Sequence, residues 1–129
     1  MDTWLCTTCG VEYAAAAAAP GYCRICDDDR LYPGSADDPW IARTALVRDR
    51  RVTFAELEPG LEGVQLQPGF CINQRAVLVA GKSGAILYDC VAMVDDAAVA
   101  HVAELGGLRA IVPSHPHLRF EACPAIPAN

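Results

Sequence analysis

Cys6-Thr7-Thr8-Cys9 and Cys23-Arg24-Ile25-Cys26 are two Cys-x-x-Cys pairs separated by thirteen residues, Gly10 to Tyr22. A Cys-x-x-Cys turn folds back so that both thiolates face one ion, and two such turns make the closed tetrahedral S4 site that zinc prefers. The spacing predicts a zinc ribbon over residues 1–33, with Cys6, Cys9, Cys23 and Cys26 as its ligands. Four protein sulfurs leave no position open for water or substrate, so this zinc is expected to be structural. Iron in a rubredoxin-like S4 site is the alternative, because the same ligands suit both metals. A disulfide framework would need export, yet Met1-Asp2-Thr3-Trp4-Leu5 has no basic start and no apolar core before the first cysteine. Redox Cys-x-x-Cys motifs occur singly beside a βαβ pattern, not as a matched pair.

Composition narrows the rest. The chain has 129 residues, enough for one ordinary domain or for a small metal module joined to part of something larger. No apolar run approaches the ~20 residues of a membrane span, so the expectation is a cytoplasmic protein without membrane contact. The net charge is −6. Within residues 1–33, Asp2, Glu12, Asp27, Asp28 and Asp29 face only Arg24 and Arg30. Ribbons that bind nucleic acid neutralise phosphates with a basic face, and this one would repel them.

Between the pairs lies Ala14 to Ala19, a run with high helix propensity but too short to hold a helix alone, so the metal loop must set its shape. Pro33-Gly34-Ser35 reads as a linker. Asp38 before Pro39 is a good helix start, and Trp40, Ile41, Thr44, Ala45 and Val47 give the apolar face of a short helix to about Arg48. Arg48, Arg50 and Arg51 then suit the negative end of the helix dipole, read as a solvated terminus.

Strand patterns begin after Gly63. Val64-Gln65-Leu66-Gln67 alternates with period two, while the runs 71–79 and 85–88 flank the turn Gly81-Lys82-Ser83-Gly84 as a hairpin. The Gly-Lys-Ser triplet is no phosphate loop, because no glycine stands at 73–76 and no helix follows. Asp95 and Asp96 cap a helix over 97–105 that ends at Gly106-Gly107, and Leu108 to Val112 forms the next strand. His101 on that helix is expected to be exposed and inert, whereas Cys71 and Cys90 are expected to sit in strands as small apolar residues. Tyr88 and Trp4 read as packing residues.

The strand 108–112 runs into Ser114-His115-Pro116-His117. Alternate histidines in an extended backbone point the same way and can reach one metal. With Leu87-Tyr88-Asp89-Cys90, the helix and the strand before them, they resemble the opening half of the metallo-β-lactamase superfamily. The cysteine module followed by Glu58-Pro59-Gly60-Leu61-Glu62-Gly63 resembles a bacterial subgroup of such hydrolases that begins with a ribbon. The resemblance implies an α+β fold, a small zinc ribbon followed by the first half of an αββα sandwich. It implies that His115 and His117 belong to a second zinc site, and that Asp89 is a hydrogen-bonding residue orienting a metal-bound histidine. It also implies hydrolysis of a small-molecule substrate, in a superfamily that spans β-lactams, thioesters and phosphoesters.

The departures set the remaining expectations. The superfamily motif has Asp and His two and three residues after its second histidine, where this chain has Arg119 and Phe120. About 90 residues follow the linker, against roughly 200 for the whole sandwich. The domains are therefore read as the four-cysteine zinc-ribbon module at 1–33, linker and short helix at 34–56, a partial metallo-β-lactamase-like domain at 57–117 and an irregular tail at 118–129. The functional expectation is a truncated zinc-dependent hydrolase, weakly active or inactive as this chain. The alternative is a non-catalytic zinc-ribbon adaptor, and exposed sheet edges would favour self-association.

Overall fold

The computed structural model describes residues 1–27, 38–71 and 73–114. They form a mixed α+β fold of two sheets and two helices. The first sheet is antiparallel, in the order β2-β1-β3, with β1 at Asp2–Cys6, β2 at Glu12–Ala16 and β3 at Trp40–Ala42. Ala14, Ala15 and Ala16 are strand despite their helix propensity, because β2 is held in register opposite β1 and Trp4 Nε1 donates to the Ala16 carbonyl.

The helix expected to be capped by Asp38 starts four residues later. Trp40-Ile41-Ala42 pairs instead with Cys6-Leu5-Trp4, and α1 occupies Arg43–Asp49. Its N-cap residue, Ala42, has no side chain able to cap, so β1 supplies the cap. The Asp2 carboxylate accepts from the Thr44 amide at 3.3 Å and from the Thr44 hydroxyl. Tertiary pairing has overridden a favourable local start signal.

The second sheet runs β4-β5-β6-β7-β8. Its strands are β4 at Arg51–Glu58, β5 at Leu61–Gln67, β6 at Ala76–Gly81, β7 at Gly84–Tyr88 and β8 at Leu108–Val112. Three successive hairpins make the first four strands antiparallel. The last pair is parallel, joined through α2 at Asp96–Glu104. Strand β4 carries no clean alternation, and all but its last two residues fall in the segment 34–56 read from sequence as linker and short helix. The expected strand over 71–79 begins only at Ala76, because Cys71 and Asn73 take left-handed backbone with φ of 54° and 53°. The Gly81–Gly84 turn is a tight hairpin, as its glycines predict. Asp95 caps α2 as expected, its Oδ1 accepting from the Ala98 amide, while its Oδ2 accepts from the Val52 amide and ties the helix to β4.

One apolar core joins the two sheets. Val52, Val64, Leu78, Leu87 and Leu108 of the second sheet meet Ala98 and Val102 of α2, and Leu5 of β1 and Leu46 of α1 belong to the same cluster. Among the described residues, the opposite face of the second sheet keeps an apolar row partly open. Val79, Ile86, Tyr88 and Val112 are 40–45 % exposed there, so Tyr88 is a surface residue and not the packing residue expected. Their register makes one patch, with Val79 beside Ile86, and Tyr88 between Val77 and Val112.

Candidate metal centre

The hairpin β1–β2 builds the first knuckle. Cys6 ends β1, and the chain turns so that the Gly10 amide donates to the Cys6 carbonyl at 2.8 Å and the Cys6 amide to the Val11 carbonyl at 3.0 Å. Gly10 holds φ at +80°, backbone that glycine adopts without the clash a β-carbon brings. The second knuckle repeats the closing bond, from the Asp27 amide to the Cys23 carbonyl at 2.9 Å.

These turns bring all four cysteines together. The sulfurs of Cys6, Cys9, Cys23 and Cys26 lie within 4.8 Å of one another, with Cys6 to Cys26 at 3.6 Å and Cys9 to Cys23 at 3.7 Å. A tetrahedral ion with bonds of about 2.3 Å sets its sulfurs about 3.8 Å apart. The four residues thus fit a metal ion, and they are free thiols. Among the described residues this is the only cluster of three or more side chains able to hold one. Cys6 and Cys23 are buried, while Cys9 and Cys26 are half-buried.

The electrostatics favour a cation. Donation by the Cys9 thiol, then by the Cys9 and Thr8 amides and the Cys26 thiol, lowers Cys6 to about 4. The same bond to Cys6 raises Cys9, and burial followed by the bond to Cys6 pushes Cys26 up to about 12. Four sulfurs this close oppose one another's ionisation, and a bound dication is what allows several thiolates in one site.

Two neighbours of the cluster have no signal in the Cys-x-x-Cys spacing. Tyr13 on β2 places its hydroxyl 3.6 Å from the Cys23 sulfur, and its ring meets Trp40 edge-on at 5.2 Å. Cys71 lies in a turn rather than a strand. Its thiol donates to the Cys6 carbonyl at 3.3 Å, and burial pushes it up to about 12. Cys90, expected in a strand, follows β7 and is buried.

The other predicted site residues divide. Asp89 directly follows β7 with φ of +65°. Its amide donates to the Val112 carbonyl at 2.9 Å, and its Oδ1 accepts from the Ser114 amide at 2.6 Å. The carboxylate therefore reaches across from the end of β7 to the backbone just past β8, at the residue preceding His115. His115 and His117 lie outside the described residues, as do Asp28, Asp29 and the tail 118–129. His101 departs from its expectation of exposure. It is half-buried, with Nε2 2.8 Å from Glu62 Oε2 and its ring 4.2 Å from that of Phe54. Among the described residues, no helix is long and apolar enough to cross a membrane.

No family model matches the chain, and no solved structure matches it. It is similar to the uncharacterized protein YmaE of Bacillus subtilis strain 168, with 32 % identity over 119 residues. The match covers 91 % of this chain and 43 % of that relative, so the chain spans less than half the relative's length.

Proposed function

We propose that the chain supplies a structural zinc ribbon and the first half of the scaffold of a zinc-dependent hydrolase of the metallo-β-lactamase superfamily. The observation that carries this reading is the bond from the Ser114 amide to Asp89, which joins the two parallel strand ends where the superfamily places its early aspartate and its His-x-His. Ligand sites of α/β sheets gather at the carboxyl ends of parallel strands. In this reading His115 and His117 give two imidazole ligands to a catalytic zinc, and Asp89 fixes the backbone that carries them. Such a zinc would lower the pKa of a bound water and make it a nucleophile near neutral pH.

The apolar row left open among the described residues supports the half-scaffold part of the reading. Helix α2 covers one side of the second sheet, and the apolar row Val79, Ile86, Tyr88 and Val112 suits a second β-layer on the other. Two imidazoles without a third protein ligand hold zinc weakly.

The same apolar face favours a second reading, a non-catalytic ribbon protein that docks a partner there. Zinc equivalents and hydrolysis separate the two. The hydrolase reading expects a tight first equivalent lost in Cys6→Ser and a weak second one lost in His117→Ala, together with any esterase or lactamase activity. One equivalent, insensitive to His117→Ala and with no hydrolysis above free zinc, would leave the adaptor.

A further inference from the structure

Tyr13 is a half-buried residue whose polar atom is fully committed within the metal module. Its hydroxyl oxygen accepts the Arg24 amide at 2.8 Å and lies 3.6 Å from the Cys23 sulfur. The oxygen thus accepts one hydrogen bond from the knuckle backbone and has its own hydroxyl hydrogen to donate. The ring is fixed by the edge-on contact with Trp40 and by the pairing of Tyr13 with Trp4 across β1 and β2. Both contacts come from outside the Cys-x-x-Cys turns.

We infer that Tyr13 is a positioning residue of the metal centre, its hydroxyl donating to the Cys23 thiolate and drawing charge off that sulfur when a cation is bound. This rests on the reading that the four cysteines hold zinc. Four thiolates around a dication leave a net charge of about −2, which makes the sulfurs targets for protons and electrophiles. A hydrogen bond donated to a charged acceptor is roughly twice as strong as one between neutral groups. Placed on buried Cys23, it slows protonation and release of that ligand, and outer hydrogen bonds of this kind commonly change metal affinity about 10–100-fold. The Arg24 amide, held on the same oxygen, polarises the hydroxyl toward the sulfur.

The test uses the full chain loaded with cobalt(II) and, separately, with zinc. In Tyr13→Phe the sulfur-to-cobalt charge-transfer band should move to lower energy, because sulfur lone pairs rise when the donor is lost. Zinc transfer to a chromogenic chelator should quicken about tenfold. Replacing all tyrosines by 3-fluorotyrosine, a stronger hydroxyl donor in an unchanged backbone, should move the band the other way. That protein also decides the matter if Tyr13→Phe does not fold. A band unmoved in either protein overturns the role of Tyr13. A wild-type chain that takes up neither cobalt nor zinc overturns the metal reading itself.

Discussion

At Gly10 the first knuckle turns through left-handed backbone, and a β-carbon there would sit 3.4 Å from the Cys71 sulfur and 3.8 Å from the Ala92 side chain. Those are ordinary contact distances, so Gly10→Ala meets backbone strain alone and should destabilise the fold by about 1–2 kcal/mol in chemical denaturation. An unchanged unfolding midpoint would show that the turn relaxes that strain. The knuckle cysteines were legible because ligand spacing is a local property, set within a few residues of chain. Tyr13 was not, since its hydroxyl reaches Cys23 only after the hairpin has folded the intervening chain back. His101 was misread for a similar reason. Its partner Glu62 is 39 positions away on β5, and no helical period announces it.

Among the elements, α1 shows most clearly how a local start signal loses to tertiary structure. Asp38-Pro39 had the residues of a helix N-terminus, but Trp40 and Ile41 pair with β1 as the third strand of the metal module's sheet and pack against its two apolar clusters. The cap then comes from β1. The Thr44 hydroxyl, and then its amide, hold the Asp2 carboxyl below its ordinary value. A carboxyl that is more acidic folded than unfolded contributes stability above its unfolded value and loses it as pH falls through the folded one. The thermal midpoint of the wild type should therefore fall more steeply below about pH 4 than that of Asp2→Asn, and parallel curves would rule out a capping role for Asp2. At α2 the local signal and the fold agree. Asp95→Ala breaks the helix cap and the tie to Val52 together, so it should cost about 2–4 kcal/mol, more than the ~1 of an ordinary cap. A loss within the ordinary range would mean that the β4 contact contributes nothing. Strand β4 stayed hidden because it is largely exposed beyond Phe54 and so lacks the alternation that marks a half-buried strand.

For the whole molecule the decisive arrangement is the alternation along β1 and β3. Leu5 enters the main core while Cys6 enters the metal cluster, and opposite them Ile41 and Trp40 divide in the same way. The ribbon is thus joined to the second sheet through a shared core, a feature that cysteine spacing alone does not reveal. Structural zinc contributes ~10–16 kcal/mol in small metal modules, and a metal held by the four cysteines would pass part of its binding energy to the second sheet through that core. Chelation, or Cys6→Ser, should lower the unfolding midpoint of the entire described fold in one transition, monitored by near- and far-ultraviolet circular dichroism. Separate ribbon and sheet transitions would contradict that coupling. Leu5→Ala should cost about 2–5 kcal/mol and weaken metal retention as well, although Leu5 is no ligand. The proposed function places two metal environments of different chemistry on one scaffold, four sulfurs in the ribbon and imidazoles after β8. Zinc-edge X-ray absorption of the full chain distinguishes them by ligand atom and bond length. At one equivalent only sulfur at about 2.3 Å is expected, and at two equivalents an added nitrogen shell at about 2.0–2.1 Å that disappears in His117→Ala. A spectrum that keeps the sulfur shell alone at every loading would refute the second site and, with it, the hydrolase scaffold.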